Sequence, residues 1–206
     1  METSTLLYFL GASIALTIAP GPDNIFVITQ GITRGRKSAI VTALGMCSGI
    51  SVHTTAAAFG ISAVFYSSAV AFNIIKYAGA AYLLYLAYKT LKERSAIRLS
   101  LADEKPMTDL FRRGFIMNVL NPKVAMFFLA FLPQFVTPNT SYFALQILLF
   151  GAIFMVQGVI IFCVIGYFSG SIGNYLLARP KIAAYFDWLT AGVFASLGVR
   201  LALSER

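Results

Sequence analysis

The chain has 206 residues, of which 58% are hydrophobic and only 12% charged, about half the roughly 25% charge of a typical globular protein. A mean hydropathy of +0.78 and 18 phenylalanines exclude a water-soluble fold and intrinsic disorder alike, because such a chain has more apolar surface than is needed to offset ordering entropy. The net charge of +8 is gathered between long apolar runs, at Arg34, Arg36 and Lys37, from Lys89 to Arg113, and at Arg179 and Lys181, a placement that follows the positive-inside rule and not a nucleic-acid surface.

The composition therefore predicts an all-α polytopic membrane protein with the lipid bilayer as its solvent. A membrane helix needs about 20 apolar residues, and dividing the uncharged intervals by that length gives six spans. The amino end lacks a basic region before its apolar run, so a removable signal peptide is not expected. The first span is Leu6–Ile32, interrupted at Asp23. Ala39–Ile61 and Ala69–Leu91 follow, joined by an uncharged turn near Tyr66–Ser68. After the polar stretch from Lys92 to Arg113 come Gly114–Phe135, Tyr142–Ser169 and Ile182–Leu203. Lys123 and two prolines leave both a complete and a re-entrant version of the fourth span open.

Two spans separate each neighbouring pair of basic clusters, which puts all three clusters in the cytoplasm and both termini outside. The whole chain, 1–206, reads as one transporter domain made of two three-helix halves, 1–91 and 109–206, joined by a charged linker at 92–108. An odd number of spans per half inserts the second half upside down, the inverted repeat of many secondary transporters.

Polarity inside the spans points to a site. Pro20 and Pro22 flank Gly21 in APGPDN and remove two backbone donors, so the first helix should break there. Asp23 and Asn24 are expected to cap a second half-helix. In NVLNPKVAMFF of the fourth span, Asn121 can cap, Pro122 can take the first helical position, and Asn118 and Lys123 lie alongside. A charge near a helix centre costs about 2.5–3.5 kcal/mol on insertion scales, so Asp23 and Lys123 are expected to pair or to face a polar cavity. A carboxylate, an ammonium, two helix N-termini and side-chain amides suit a zwitterion, with its α-ammonium at Asp23 and its α-carboxylate toward Lys123. An amino acid is the simplest such solute.

The GPDN break, the spacing of Gly45, Gly49 and His53, the run KYAGAAYLLYLAYK from Lys76 to Lys89, and F-x-x-G-x-x-x-N-x-x-N-P-K followed by FLPQF resemble the LysE/RhtB family of amino-acid exporters. The resemblance implies six spans, residence in the bacterial inner membrane, and proton-driven export of amino acids or close derivatives. It also points to Asp23, Asn24, Asn121, Pro122 and Lys123 as site residues.

Other residues have competing readings. Gly45 and Gly49 form a small-residue face that lets helices approach closely. His53, the single histidine, can join Asp23 as a carrier of the coupling proton or simply bridge to a neighbouring helix. Lys76 reads as a cation snorkelling to the outer headgroups, and Asp187 with Trp188 as an interfacial anchor. Tyr82 is the tyrosine of its helix singled out as a substrate contact, while Gln30, Gln146 and Gln157 are polar groups along the spans. Glycine-rich faces leave a homodimer open. No metal-type spacing and no nucleotide-binding loop occur, so an ion gradient, with no cofactor, is the expected energy source and no enzymatic reaction is expected. The alternative is a transmembrane thiol–disulfide electron conductor using Cys47 and Cys163, one in the second span of each half.

Overall fold

A computed structural model describes residues 3–19, 21–61, 69–92, 106–137, 140–171 and 180–203. The first apolar run forms α1 (Thr3–Ile18), which stops where the prolines begin, and α2 (Pro22–Arg34) leaves that break at 55°. Gly35 ends α2 at a φ of +83°, a left-handed value open to glycine, and its N–H reaches Gly31 O. α3 (Arg36–Ala56) then runs on through a wider, π-helical turn at Ala57–Ile61. α4 (Ala69–Lys92) follows.

The second broken helix comprises α5 (Met107–Val119) and α6 (Pro122–Met126), continued by a π-helical turn at Phe127–Phe131 and a 3-10 turn at Leu132–Phe135. Its two arms are bent by 46°. α7 (Phe143–Tyr167) and α8 (Pro180–Leu203) complete the set of helices, and no strand occurs among the described residues.

By length and apolar composition two helices, Arg36–Gly60 and Phe143–Tyr167, are able to cross a membrane, and four are if each bent pair is one span. α4 and α8 occupy the places of the expected third and sixth spans. Each has 24 residues, about 36 Å at 1.5 Å per residue, and each carries charged side chains. The turn expected near Tyr66–Ser68 and residues 93–105 of the linker lie outside the described residues.

α3 lies at the centre, packed against α2, α5 and α7, while α4 packs along α8. Small residues make these approaches close. A Cβ added at Gly45 would strike the backbone of Phe111, and one at Gly114 would strike the carbonyl of Thr42, so α3 and α5 meet almost backbone to backbone, as the glycine spacing predicts. On the other pair, a Cβ at Gly198 would come within 3.1 Å of Ala80 O.

Between these pairs sits an aromatic core. Phe9 from α1 meets Phe150 of α7 at 4.6 Å between ring centroids, and Phe127 of the π-helical turn meets Phe131 at 5.1 Å and Phe154 at 5.2 Å. Such tilted pairs contribute about 0.5–1.5 kcal/mol each beyond area burial. They hold the second broken helix against α1 and α7.

The glycine contacts lead to a stability prediction. Gly45→Val forces a branched side chain into the Phe111 backbone and is expected to lower thermal stability by about 1–3 kcal/mol or more. Gly192→Ala, where nothing lies within 4 Å of the new methyl group, should be neutral or slightly stabilising through helix propensity. Melting of the detergent-purified variants, followed by the loss of monodisperse protein, checks both.

Candidate functional site

The last four carbonyls of any helix lack intrahelical donors, and in a bilayer each must find another partner. For α1 these are Leu16, Thr17, Ile18 and Ala19. Leu16 O would ordinarily accept the N–H of residue 20 and Ile18 O that of residue 22, but both positions are proline and have no N–H to offer. Side chains from elsewhere take over. Lys123 Nζ donates to Leu16 O at 3.1 Å and to Ala19 O at 3.2 Å. Asn24 Nδ2 donates to Thr17 O at 3.0 Å, with Ile18 O at 3.5 Å. All four freed carbonyls are thereby satisfied, two by a cation from the second broken helix and two by an amide just past the break.

Past the break, the sequence expectation needs one correction. Asp23 and Asn24 do not cap α2. Gly21, in extended backbone, occupies the cap position and Pro22 the first helical position, so Asp23 and Asn24 stand in the first turn. Proline prevails because its fixed φ fits a first helical residue and the missing N–H costs nothing there. Ile25 N–H closes the first turn on Gly21 O at 3.0 Å. Asp23 is thereby carried inward, 2% exposed.

The second break follows expectation more closely. Asn121 caps α6, its Oδ1 accepting the Lys123 N–H at 2.9 Å, and Pro122 takes the first helical position. Asn121 N–H bonds to Asn118 O at 2.9 Å, and His53 Nε2 reaches the same carbonyl at 3.0 Å. Gly49 makes room for Asn118, since a Cβ there would lie 2.9 Å from its Oδ1. Lys123 is 6% exposed.

The two breaks meet. Lys123, Asn121, Asn118 and His53 all act electrostatically on the Asp23 carboxylate. The hydrogen bonds of Lys123, however, go to the α1 carbonyls and not to Asp23, so the acid and the base share a pocket without being tied to each other. Gly21 lines it too, a Cβ there falling 3.2 Å from Lys123 Nζ.

A third helix contributes a group that the break motifs do not announce. Gln157 Nε2 of α7 donates to Thr17 Oγ1 at 2.9 Å, and Thr17 Oγ1 donates in turn to Ser13 O at 2.9 Å. Because that hydroxyl proton is already committed, Gln157 must present its amine edge to it, which leaves Oε1 as the free acceptor. Asn24 is fixed in the same way by the carbonyls it serves. Among the described residues, the buried atoms without a hydrogen-bond partner are Asp23 Oδ1, Asn24 Oδ1, Gln30 Oε1, Asn118 Oδ1, Gln157 Oε1 and Asn121 Nδ2. Five acceptors against one donor leave these buried groups short of hydrogen-bond donors.

The sequence profile of LysE type translocators matches residues 14–205. The chain belongs to the LysE/RhtB family. It is 31% identical over 209 residues to a leucine efflux protein of Klebsiella pneumoniae, covering 96% of this chain and 93% of that protein. It is 32% identical over 154 residues to a homoserine/homoserine lactone efflux protein of Salmonella typhimurium, 74% of each chain. An uncharacterised membrane protein of Vibrio cholerae is 26% identical over the full length of both. No solved structure matches. This LysE-type chain is thus a multi-pass membrane translocator, and its family is one of transporters and not of enzymes.

Other sequence-derived candidates of this translocator fall at varying distances from that centre. Tyr82 is half-buried on α4 with its ring against Tyr85 at 6.1 Å, and among the described residues no hydrogen bond joins it to the Asp23 cluster. Pro122 is exposed; its contribution is the helix start. Cys47 and Cys163 are free thiols, the first buried and the second half-buried, and nothing in the structure or the relatives favours an electron conductor. Lys76 and Asp187 depart from the expected interfacial anchors, being 8% and 4% exposed. Helical spacing explains this: Lys76 lies on the α4 face that carries Ala80, Leu83 and Ala87, and Asp187 on the α8 face with Thr190, Ala191 and Phe194, the faces buried when α4 and α8 pack.

Asn24→Leu leaves the Thr17 and Ile18 carbonyls buried and unpaired. It is expected to destabilise the protein by about 1–3 kcal/mol per lost partner and to reduce transport, read as a lower melting midpoint and a lower efflux rate in proteoliposomes.

Proposed function

We propose that this translocator exports amino acids or close derivatives from the cytoplasm across the bacterial inner membrane, driven by the proton-motive force. The observation that carries the reading is the meeting of Asp23 with Asn118, Asn121 and Lys123 where two broken helices converge inside an apolar bundle. The efflux proteins among its relatives support the same direction of transport and the same substrate class.

The substrate α-ammonium is held by Asp23 and by the unpartnered oxygens beside it, Asn118 Oδ1 and Asn24 Oδ1. The α-carboxylate is taken by Asn121 Nδ2 at the positive end of α6, beside Lys123. Tyr82 stands as a candidate contact for the rest of the substrate. The chain works as six spans in two inverted halves that rock about this site and open it to each side in turn, with both termini outside. Asp23 and His53 are titratable candidates for coupling protons to that movement, in a cluster that also holds the Lys123 amine. A homodimer is compatible with this plan.

A counterflow screen of purified protein against the common amino acids tests the reading, with leucine and homoserine as the first probes. Asp23→Asn should abolish counterflow of the preferred amino acid while leaving the protein in the membrane fraction, a loss of at least tenfold. Normal counterflow by that variant would remove the central-site reading. The Cys47→Ser, Cys163→Ser double variant should transport at the wild-type rate, whereas an electron conductor would be disabled by it.

A further inference from the structure

We propose that Lys123 is itself the carrier of the coupling proton, and that its protonated amine is a lock that holds the two broken helices together. The inference rests on the exporter reading above and adds to it the identity of the coupling group.

The geometry is unusual for a buried cation. Its ammonium is held by two backbone carbonyls, Leu16 O and Ala19 O, although a carboxylate acts on it from the same pocket. Such an arrangement makes the bond between the two halves depend on the proton. Protonated, Nζ is attracted to the negative end of α1, supplies the donor that Pro20 withholds from Leu16 O, and gives a second to Ala19 O. Deprotonated, it loses the charge that favours that end, and the carbonyls of α1 are released toward water or solute. A lysine can make this change because its amine shifts readily when buried.

The groups facing Lys123 set the rest of the cycle. Asp23 of α2 is the charged group coupled to it, and His53 of α3 is coupled to Asp23. α1 carries no charged residue over Thr3–Ile18 and contributes hydroxyls and carbonyls. α5 contributes the Asn118 amide. On α4, packed beside α6, the charged groups are Lys76, Lys89 and Lys92. One proton is therefore taken up at Nζ from the outer side and given up to water on the cytoplasmic side for each substrate released outside, the carboxylate of Asp23 remaining to receive the next α-ammonium.

The test uses full-length protein in liposomes and labelled leucine, with homoserine as the second probe. Two rates are compared: efflux driven by a pH gradient, and substrate exchange with no gradient. Lys123→Arg keeps a cation that can donate to both carbonyls but cannot release its proton. Its ratio of gradient-driven efflux to exchange should fall at least tenfold, and an unchanged ratio would overturn the proposal. Because that variant can fail to fold, the second arm is Lys123→Cys in a Cys47→Ala, Cys163→Ala background, aminoethylated to restore an amine of lower basicity. Its gradient-driven efflux should reappear with a midpoint displaced to more acid pH; a midpoint equal to that of the wild type would mean that the amine is a fixed structural cation. Absence of exchange by the wild-type protein with any amino acid would instead sink the exporter reading on which this rests.

Discussion

Four carbonyls at the end of α1 have to be satisfied in a place where water is scarce, and much of the polar architecture of this chain answers that demand. Proline at positions 20 and 22 removes the donors for Leu16 and Ile18, and the replacement donors come from Asn24 and Lys123. The Lys123 backbone is in turn oriented by the Asn121 cap. Asn118 sits one turn earlier, close against Gly49, and its carbonyl anchors both Asn121 and His53. A break that would be a defect in an ordinary helix thereby recruits polar groups from three other helices.

The stability of such a centre comes from its surroundings. Phe9 packs on Phe150 and Phe127 on Phe154 as tilted rings, Phe128 lies against His53, and α3 meets α5 with Gly49 against Asn118. Burial makes each polar pairing expensive to lose, and Asn24, Asn121 and Gln157 each have one end of the amide committed to backbone or to another side chain. The unpaired atoms are mostly acceptors, so the buried polar groups are short of hydrogen-bond donors.

Much of this was legible in the sequence because proline and glycine have few alternatives. The two breaks, the Asn121 cap and the Gly45 and Gly49 contact all follow from steric rules that tertiary context does not overturn. The start of α2 was misread because two rules competed for one turn: Asp and Asn favour caps, but Pro22 fits the first helical position and displaced the cap to Gly21. Lys76 and Asp187 were misplaced because charge was weighed above periodicity, although the spacing of Lys76 with Ala80, Leu83 and Ala87 already marks an inward face. The meeting of Lys123 with α1 carbonyls was hidden for another reason. A backbone acceptor leaves no letter in the sequence, and only counting four residues back from each proline identifies Leu16 and Ile18.

The near contact of α3 and α5 has a mechanical consequence. With Gly45 against the Phe111 backbone and Gly114 against Thr42 O, there are no intervening side chains to act as bearings, so neither helix can slide or roll past the other without collision. The pair forms a stiff spine, and His53 and Asn118 ride on it as fixed reference points.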